Sequence, residues 1–188
     1  MRKIVVGVTG ASGSLLAIRT LEALRHVSDV ETHLVMSGEA GRTLELEVPG
    51  RHAQDVERLA DVVHRNDDLA APISSGSFLT AGMIVVPCSM KTASAIANSY
   101  NENLLTRAAD VTLKERRRLV LLVRETPLHV GHLRMLVQLA EIGAVVLPPI
   151  VGFYTRPRTI EDVVDHIVGK ALDQLGVEHD LFPRWSGA

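Results

Sequence analysis

Two strand-like apolar runs in this chain each break into a loop of small residues and then into a helical pattern. Lys3–Val8 leads into Thr9-Gly10-Ala11-Ser12-Gly13, and Met83–Val86 leads into Pro87-Cys88-Ser89-Met90-Lys91-Thr92. A strand that passes through a tight loop into a helix is the building unit of a parallel α/β sheet. Amide groups at the start of such a helix carry partial positive charge and attract phosphate. Glycine, alanine and serine let a ligand come close to that backbone. A pair of these junctions therefore predicts a site for a phosphorylated ligand.

The rest of the chain alternates in the same way. Further strands are predicted at Thr32–Met36, Leu119–Val123 and Ala144–Leu147, where β-branched and leucine-rich runs meet turn residues. Helical spacing runs through Ser14–Val27, Glu39–Glu47, Lys91–Ser99, Asn103–Leu113, His129–Ile142 and Thr159–Leu175. Arg51–Ala71 is polar and weakly patterned, and reads as a helix followed by a surface loop. This order predicts a three-layer, doubly wound α/β fold with a parallel sheet, in one domain over residues 1–188. In such sheets ligands bind outside the carboxyl ends of the strands. Gly10–Gly13, Ser37, Pro87–Thr92, Arg124–Pro127 and Pro148–Tyr154 all fall there.

Composition narrows the ligand and partner classes. A hydrophobic content of 46% is high for a monomer of 188 residues and predicts an oligomer interface. A net charge of −2 and only six aromatic residues (three Phe, two Tyr, one Trp) argue against nucleic acid. The single cysteine, Cys88, excludes an internal disulfide and a multi-cysteine zinc site. No apolar stretch has the length of a signal peptide or membrane span, so a cytoplasmic protein with no membrane partner is expected.

The first loop, TGASG, lacks the second glycine of the dinucleotide fingerprint, and no P-loop spacing is present. A mononucleotide remains. TGASG, SGSF at 75–78, PCSMKT at 87–92, RAADVTLKERR at 107–117, RETPL at 124–128 and FY at 153–154 occur in order across nearly the whole chain. Together they resemble the UbiX-like flavin prenyltransferases, in particular the short branch associated with hydroxyarylic acid decarboxylases. The resemblance implies transfer of a dimethylallyl group from dimethylallyl monophosphate to N5 and C6 of reduced FMN. The prenylated FMN would then serve a separate UbiD-like decarboxylase. It also implies a Rossmann-like fold, a homo-oligomer, typically a dodecamer, and no metal.

Site residues follow from the same resemblance. Gly10, Ala11, Ser12, Ser37, Ser89, Met90, Lys91, Thr92 and Arg124 are expected to hold FMN. Arg107, Lys114, Tyr154, Lys170 and Trp185 are expected around the prenyl phosphate and prenyl chain. Lys170 stands where relatives often carry Arg and cannot make a planar two-pronged contact. Glu125 is the expected acid for the departing phosphate, Glu47 the residue of proton removal, and Ser12 and Lys114 share in catalysis. Plainer readings stand beside these. Ser12 could be a helix N-cap, Lys91 a first-turn surface lysine, and Glu47 an exposed helix-end carboxylate. Arg107, Lys114 and Arg116–Arg118 could form a solvated face, with Arg117 and Arg118 left to solvent in either case. Trp185 could reach a neighbouring subunit, simply pack, or lie in a disordered tail. Cys88 is given no nucleophilic role, and His129 with His132 lacks a third metal ligand nearby.

Two other activities suit the same loops. A flavin-dependent cysteine decarboxylase would share the fold, although PCSMKT lacks the asparagine of that group's loop. A non-catalytic FMN-binding accessory subunit of a decarboxylase is the other.

Overall fold

Six strands form one sheet in the computed structural model, which describes residues 1–185 and 187. They are β1 (Arg2–Val8), β2 (Val30–Met36), β3 (Val62–His64), β4 (Gly82–Cys88), β5 (Arg118–Val123) and β6 (Val145–Val146). The order is β3-β2-β1-β4-β5-β6, and every pairing is parallel. From β1 the chain winds outward to β2 and β3, then crosses back to β4 on the other side. That reversal opens a crevice between the carboxyl ends of β1 and β4, the place where α/β sheets bind ligands. The two small-residue loops leave these two strands. Ser186 and Ala188, which the one-domain expectation includes, lie outside the described residues.

Seven helices flank the sheet: α1 (Ser14–Arg25), α2 (Gly38–Glu47), α3 (Ala53–Glu57), α4 (Met90–Ala97), α5 (Leu104–Lys114), α6 (Val130–Glu141) and α7 (Ile160–Gln174). Successive strand residues face opposite sides, so each buried strand feeds two cores. Ile4, Val6, Ile84, Val86, Val120 and Leu122 meet Leu21 and Leu24 of α1, Leu44 of α2 and Leu172 of α7. Val5, Met83, Val85, Leu119 and Leu121 meet Ile96 of α4, Leu105 and Ala109 of α5 and Leu139 of α6. A leucine as fully enclosed as Leu21 contributes roughly 2 kcal/mol through the water it sheds.

The strand β3 corrects the reading of Arg51–Ala71. Its three residues sit where a surface loop was predicted, pairing with His33–Val35 of β2. Such a short run has no period of its own to read; pairing supplies it. Helix α6 is the least covered helix: Val130, Leu133 and Val137 are exposed, and only Leu139 is buried. The apolar surplus in the composition surfaces there. None of the helices is long and apolar enough to cross a membrane, among the described residues.

Candidate functional site

Thr9 joins the two loops. Its buried hydroxyl donates to the Pro87 carbonyl at 2.8 Å and accepts from the Ser89 amide at 2.8 Å. The loop after β1 is thereby fixed against the loop after β4 before any ligand arrives.

Gly10 lies under α2. A Cβ there would stand 2.6 Å from Glu39 Cβ, so only glycine lets the loop pass beneath that helix. Thr43 Oγ1 donates to the Gly10 carbonyl at 3.0 Å and holds the crossing from above. Gly13 has φ +128°, a conformation that L side chains rarely adopt, and it caps α1 in place of Ser12. The Glu47 carboxylate accepts from Gly13 N at 3.0 Å and from Ser14 N at 2.7 Å. The start of α1 is thus already occupied by an anion from α2. Burial raises the Glu47 pKa, but bonds from Ser12, Ser14 and Gly13 outweigh it and hold the carboxyl below its usual range. Glu47 is therefore half-buried and ionised, not an exposed helix-end acid.

The open helix starts are those of α2 and α4. Ser37 precedes α2 and its hydroxyl makes no capping bond, so it is available to a ligand. Ser89 caps α4 by accepting from Thr92 N at 3.3 Å, with its hydroxyl donating to Thr92 Oγ1 at 3.1 Å. The amides of Met90 and Lys91 keep no partner within the helix. Both starts face one cavity of about 810 Å³, walled in part by Gly10, Ser37, Ser89, Lys91 and Thr92. A glycine cradle, a free hydroxyl and two helix N-termini are the donor set that a mononucleotide such as FMN requires. The residues present fit that group.

The same cavity includes residues that sequence reasoning missed. Asn66, just past β3, accepts the Leu104 and Leu105 amides through its carbonyl (2.9 Å) and side chain (3.0 Å). Asn103 caps α5, and its partner Thr106 three residues on was the available signal. Charge in the wall is uneven: Glu39, Asp67 and Glu102 against Arg65 and Lys91, with Arg65 already paired to Asp67 at 2.7 Å.

The remaining predicted residues lie elsewhere on this chain. Arg107 faces outward from α5, donating to the Ser74 carbonyl at 3.1 Å and pairing with Asp110 at 3.2 Å. Lys114 ends the same helix beside Glu115, about 10 Å further along the axis. Because α5 runs back toward the start of β5, Lys114 sits at the opposite end of the sheet from the loops. Arg117 is not a solvent arginine: it donates to the carbonyls of Gly76 (2.6 Å) and Phe78 (2.9 Å), clamping the SGSF segment. Arg124 and Glu125 are exposed just beyond β5, with Thr126 N donating to Glu125 Oε1 at 3.0 Å.

Tyr154, Lys170 and Trp185 gather on the outer face of α7. Tyr154 and Trp185 meet edge to face at 6.1 Å, and Lys170 lies 3.8 Å from Asp173. Trp185 therefore packs on its own chain. Asp173 also takes Arg184 at 2.7 Å and His179 at 3.2 Å, strapping the tail to the helix. Cys88 is fully buried, and burial pushes its thiol up to about 12, which leaves it protonated and inert. His129 caps α6 by accepting from Gly131 N and His132 N at 3.0 and 3.3 Å.

The chain is similar to known proteins over its whole length. The Flavoprotein family model matches residues 1–172. The flavin prenyltransferase UbiX of Escherichia coli K12 is 55% identical over the full length of both chains. That of Thauera aromatica is 56% identical, covering 98% of this chain and 94% of its own. Among solved structures, AnUbiX (PadA1) in complex with FMN and dimethylallyl pyrophosphate superposes with a TM-score of 0.96 at 51% identity, covering 100% and 98% of the two chains. A dodecameric FMN-dependent UbiX-like decarboxylase from Escherichia coli O157:H7 gives 0.95 at 51% identity, covering 98% and 100%. The FMN-dependent cysteine decarboxylase TvaF shares the fold alone, at 14% identity and a TM-score of 0.67. The chain belongs to the Flavoprotein family and, within it, to the UbiX flavin prenyltransferases.

Proposed function

We propose that this chain, as one domain over residues 1–188, joins the dimethylallyl group of dimethylallyl monophosphate to N5 and C6 of reduced FMN. The observation that carries the reading is the cavity between β1 and β4, with the Ser37 hydroxyl and the starts of α2 and α4 turned into it. Reduced FMN, when bound, supplies the nucleophilic nitrogen and carbon. The protein's own part is to hold two phosphates, exclude water and manage protons.

Among the described residues, one copy's cavity wall offers as cations only Lys91 and Arg65, the latter paired with Asp67. The cavity wall carries more carboxylates than basic groups, while Arg107, Lys114 and Lys170 stand on the outer surfaces of α5 and α7. A homo-oligomer that sets those helices against a neighbour's cavity completes the site, and a dodecamer is the proposed assembly. A basic group about 4 Å from a phosphate contributes roughly 4 kcal/mol per unit charge at an effective dielectric near 20. In this arrangement Arg107, Lys114, Tyr154 and Lys170 grip the leaving phosphate and Trp185 borders the prenyl chain. Gly10, Ala11, Ser12, Ser37, Ser89, Met90, Lys91, Thr92 and Arg124 hold FMN. Glu125 gives a proton to the departing phosphate. Glu47, ionised, accepts one at ring closure. The product serves a UbiD-like decarboxylase, and the protein works in the cytoplasm.

The test is incubation of the purified protein with reduced FMN and dimethylallyl monophosphate, followed by mass spectrometry of the flavin. A flavin heavier by one five-carbon unit supports transfer. Unchanged FMN that stays tightly bound favours the accessory-subunit reading and rejects this one.

A further inference from the structure

His166 is a titratable side chain that the functional reading leaves unused. It sits on α7 with only 8% of its surface exposed, and its Nε2 lies 3.1 Å from the Tyr154 hydroxyl. Three neighbours fix the ring. Phe182 meets it edge to face at 4.9 Å, and Tyr154 does so at 5.6 Å. Gly152 closes the third side: a Cβ there would stand 3.0 Å from His166 Cε1 and 3.2 Å from Tyr154 Cε1. Glycine at 152 thus allows the phenol and the imidazole to meet. Burial first, and the charge of Lys170 one turn further along α7 second, hold the His166 pKa below its ordinary value. A neutral imidazole offers one donor and one acceptor nitrogen.

We propose that His166 is a positioning residue that fixes the Tyr154 phenol for the phosphate of the prenyl donor. The inference rests on the reading of Tyr154 as a contact of that phosphate. A phosphate dianion only accepts hydrogen bonds, so the phenolic proton must point to it. The contact with His166 then survives only if Nε2–H donates to the Tyr154 oxygen. That arrangement polarises the phenol and holds its ring, so little freedom is lost when the phosphate arrives. Without it, Tyr154, which is 57% exposed, keeps Trp185 as its one aromatic neighbour among the described residues.

The experiment is steady-state transfer with dimethylallyl monophosphate varied at saturating reduced FMN. His166→Gln places an amide nitrogen near the position of Nε2, whereas His166→Asn reaches only the position of Nδ1. The expected result is a KM for the donor near the parent's for the Gln variant and about tenfold higher for the Asn variant, with kcat changed less. His166→Phe should match Asn, and in a Tyr154→Phe background it should add almost nothing. Retained FMN binding and oligomeric size identify variants that fold. Equal KM values for the Gln and Asn variants overturn the proposal. If Tyr154→Phe raises the donor KM and the His166 variants do not, the proposal fails and the reading of Tyr154 stands. If Tyr154→Phe leaves the KM unchanged, both fall.

Discussion

The Glu47 carboxylate lies over the Gly13 amide, with its two oxygens 3.0 and 3.1 Å from that nitrogen. One helix thereby caps another: α2 ends by supplying the anion that the start of α1 requires. Replacing Glu47 by Gln turns an NH₂ group toward the amides that the carboxylate accepted. The expected loss is about 1–3 kcal/mol of stability, read from the urea midpoint, together with loss of turnover. A midpoint unchanged from the parent would show that the cap is dispensable.

Thr9 predicts a different behaviour. Thr9→Val keeps the shape but leaves the Ser89 amide without its partner and the Pro87 carbonyl with the Thr9 amide alone, at 3.3 Å. A destabilisation of about 2 kcal/mol is expected, with FMN affinity reduced severalfold because the start of α4 is tied less firmly to the loop after β1. Fluorescence titration with FMN separates the second effect from the first.

Acid should weaken the fold through buried His33 and its half-buried partner His64. His33 Nε2 lies 2.8 Å from Glu31 Oε1, and His33 Nδ1 lies 2.9 Å from His64 Nε2. The carboxylate only accepts, so His33 donates to it and a neutral His33 accepts from His64. Burial, opposed in part by Glu31 and Asp61 and reinforced by Lys3, holds His33 below its ordinary 6.5. Burial and then His33 do the same to His64, against a small opposite pull from Asp68. Well above pH 6.5 both rings are neutral whether folded or unfolded, and this pair leaves stability level. Below it the unfolded chain takes up protons that the folded chain refuses. Stability then falls by at most about 1.4 kcal/mol per pH unit for each proton. Thermal melts of the parent should decline from about pH 6.5 downward. His33→Gln should soften the slope, and a parent Tm flat to pH 5 would contradict this account.

Shared sites predict complementation. Lys114→Ala and Tyr154→Phe should each depress transfer at least tenfold when assembled alone. If the pocket takes these groups from different copies, mixed oligomers of the two variants regain activity above either parent variant. Mixtures that stay at the average of the two would place both groups in the same copy's pocket.

Much of the architecture was legible because burial on both faces of a strand leaves continuous apolar runs. β1, β4 and β5 show this, and the helices fall within a few residues of their apolar period. β3 was not legible: Val62–His64 is too short to show a pattern and exists through its pairing with β2. The loops were visible because close approach demands small residues, as Gly10 under Glu39 shows. Their partition was not. Nothing in a string reveals that Glu47 already satisfies α1, or that Lys114 lies a helix length from the crevice. Arg117 was misread for a related reason: its partners are carbonyls, which leave no trace in side-chain identity.

The blunt margins of the sheet carry a further consequence. β3 offers three residues at one side and β6 two at the other. Neither gives another chain enough exposed backbone to lengthen the ladder. In the proposed homo-oligomer, copies of this protein therefore meet through side chains on helices such as α6, where shape decides the fit. Growth by such surfaces can close on itself and stop, whereas templating along a strand would have no built-in end.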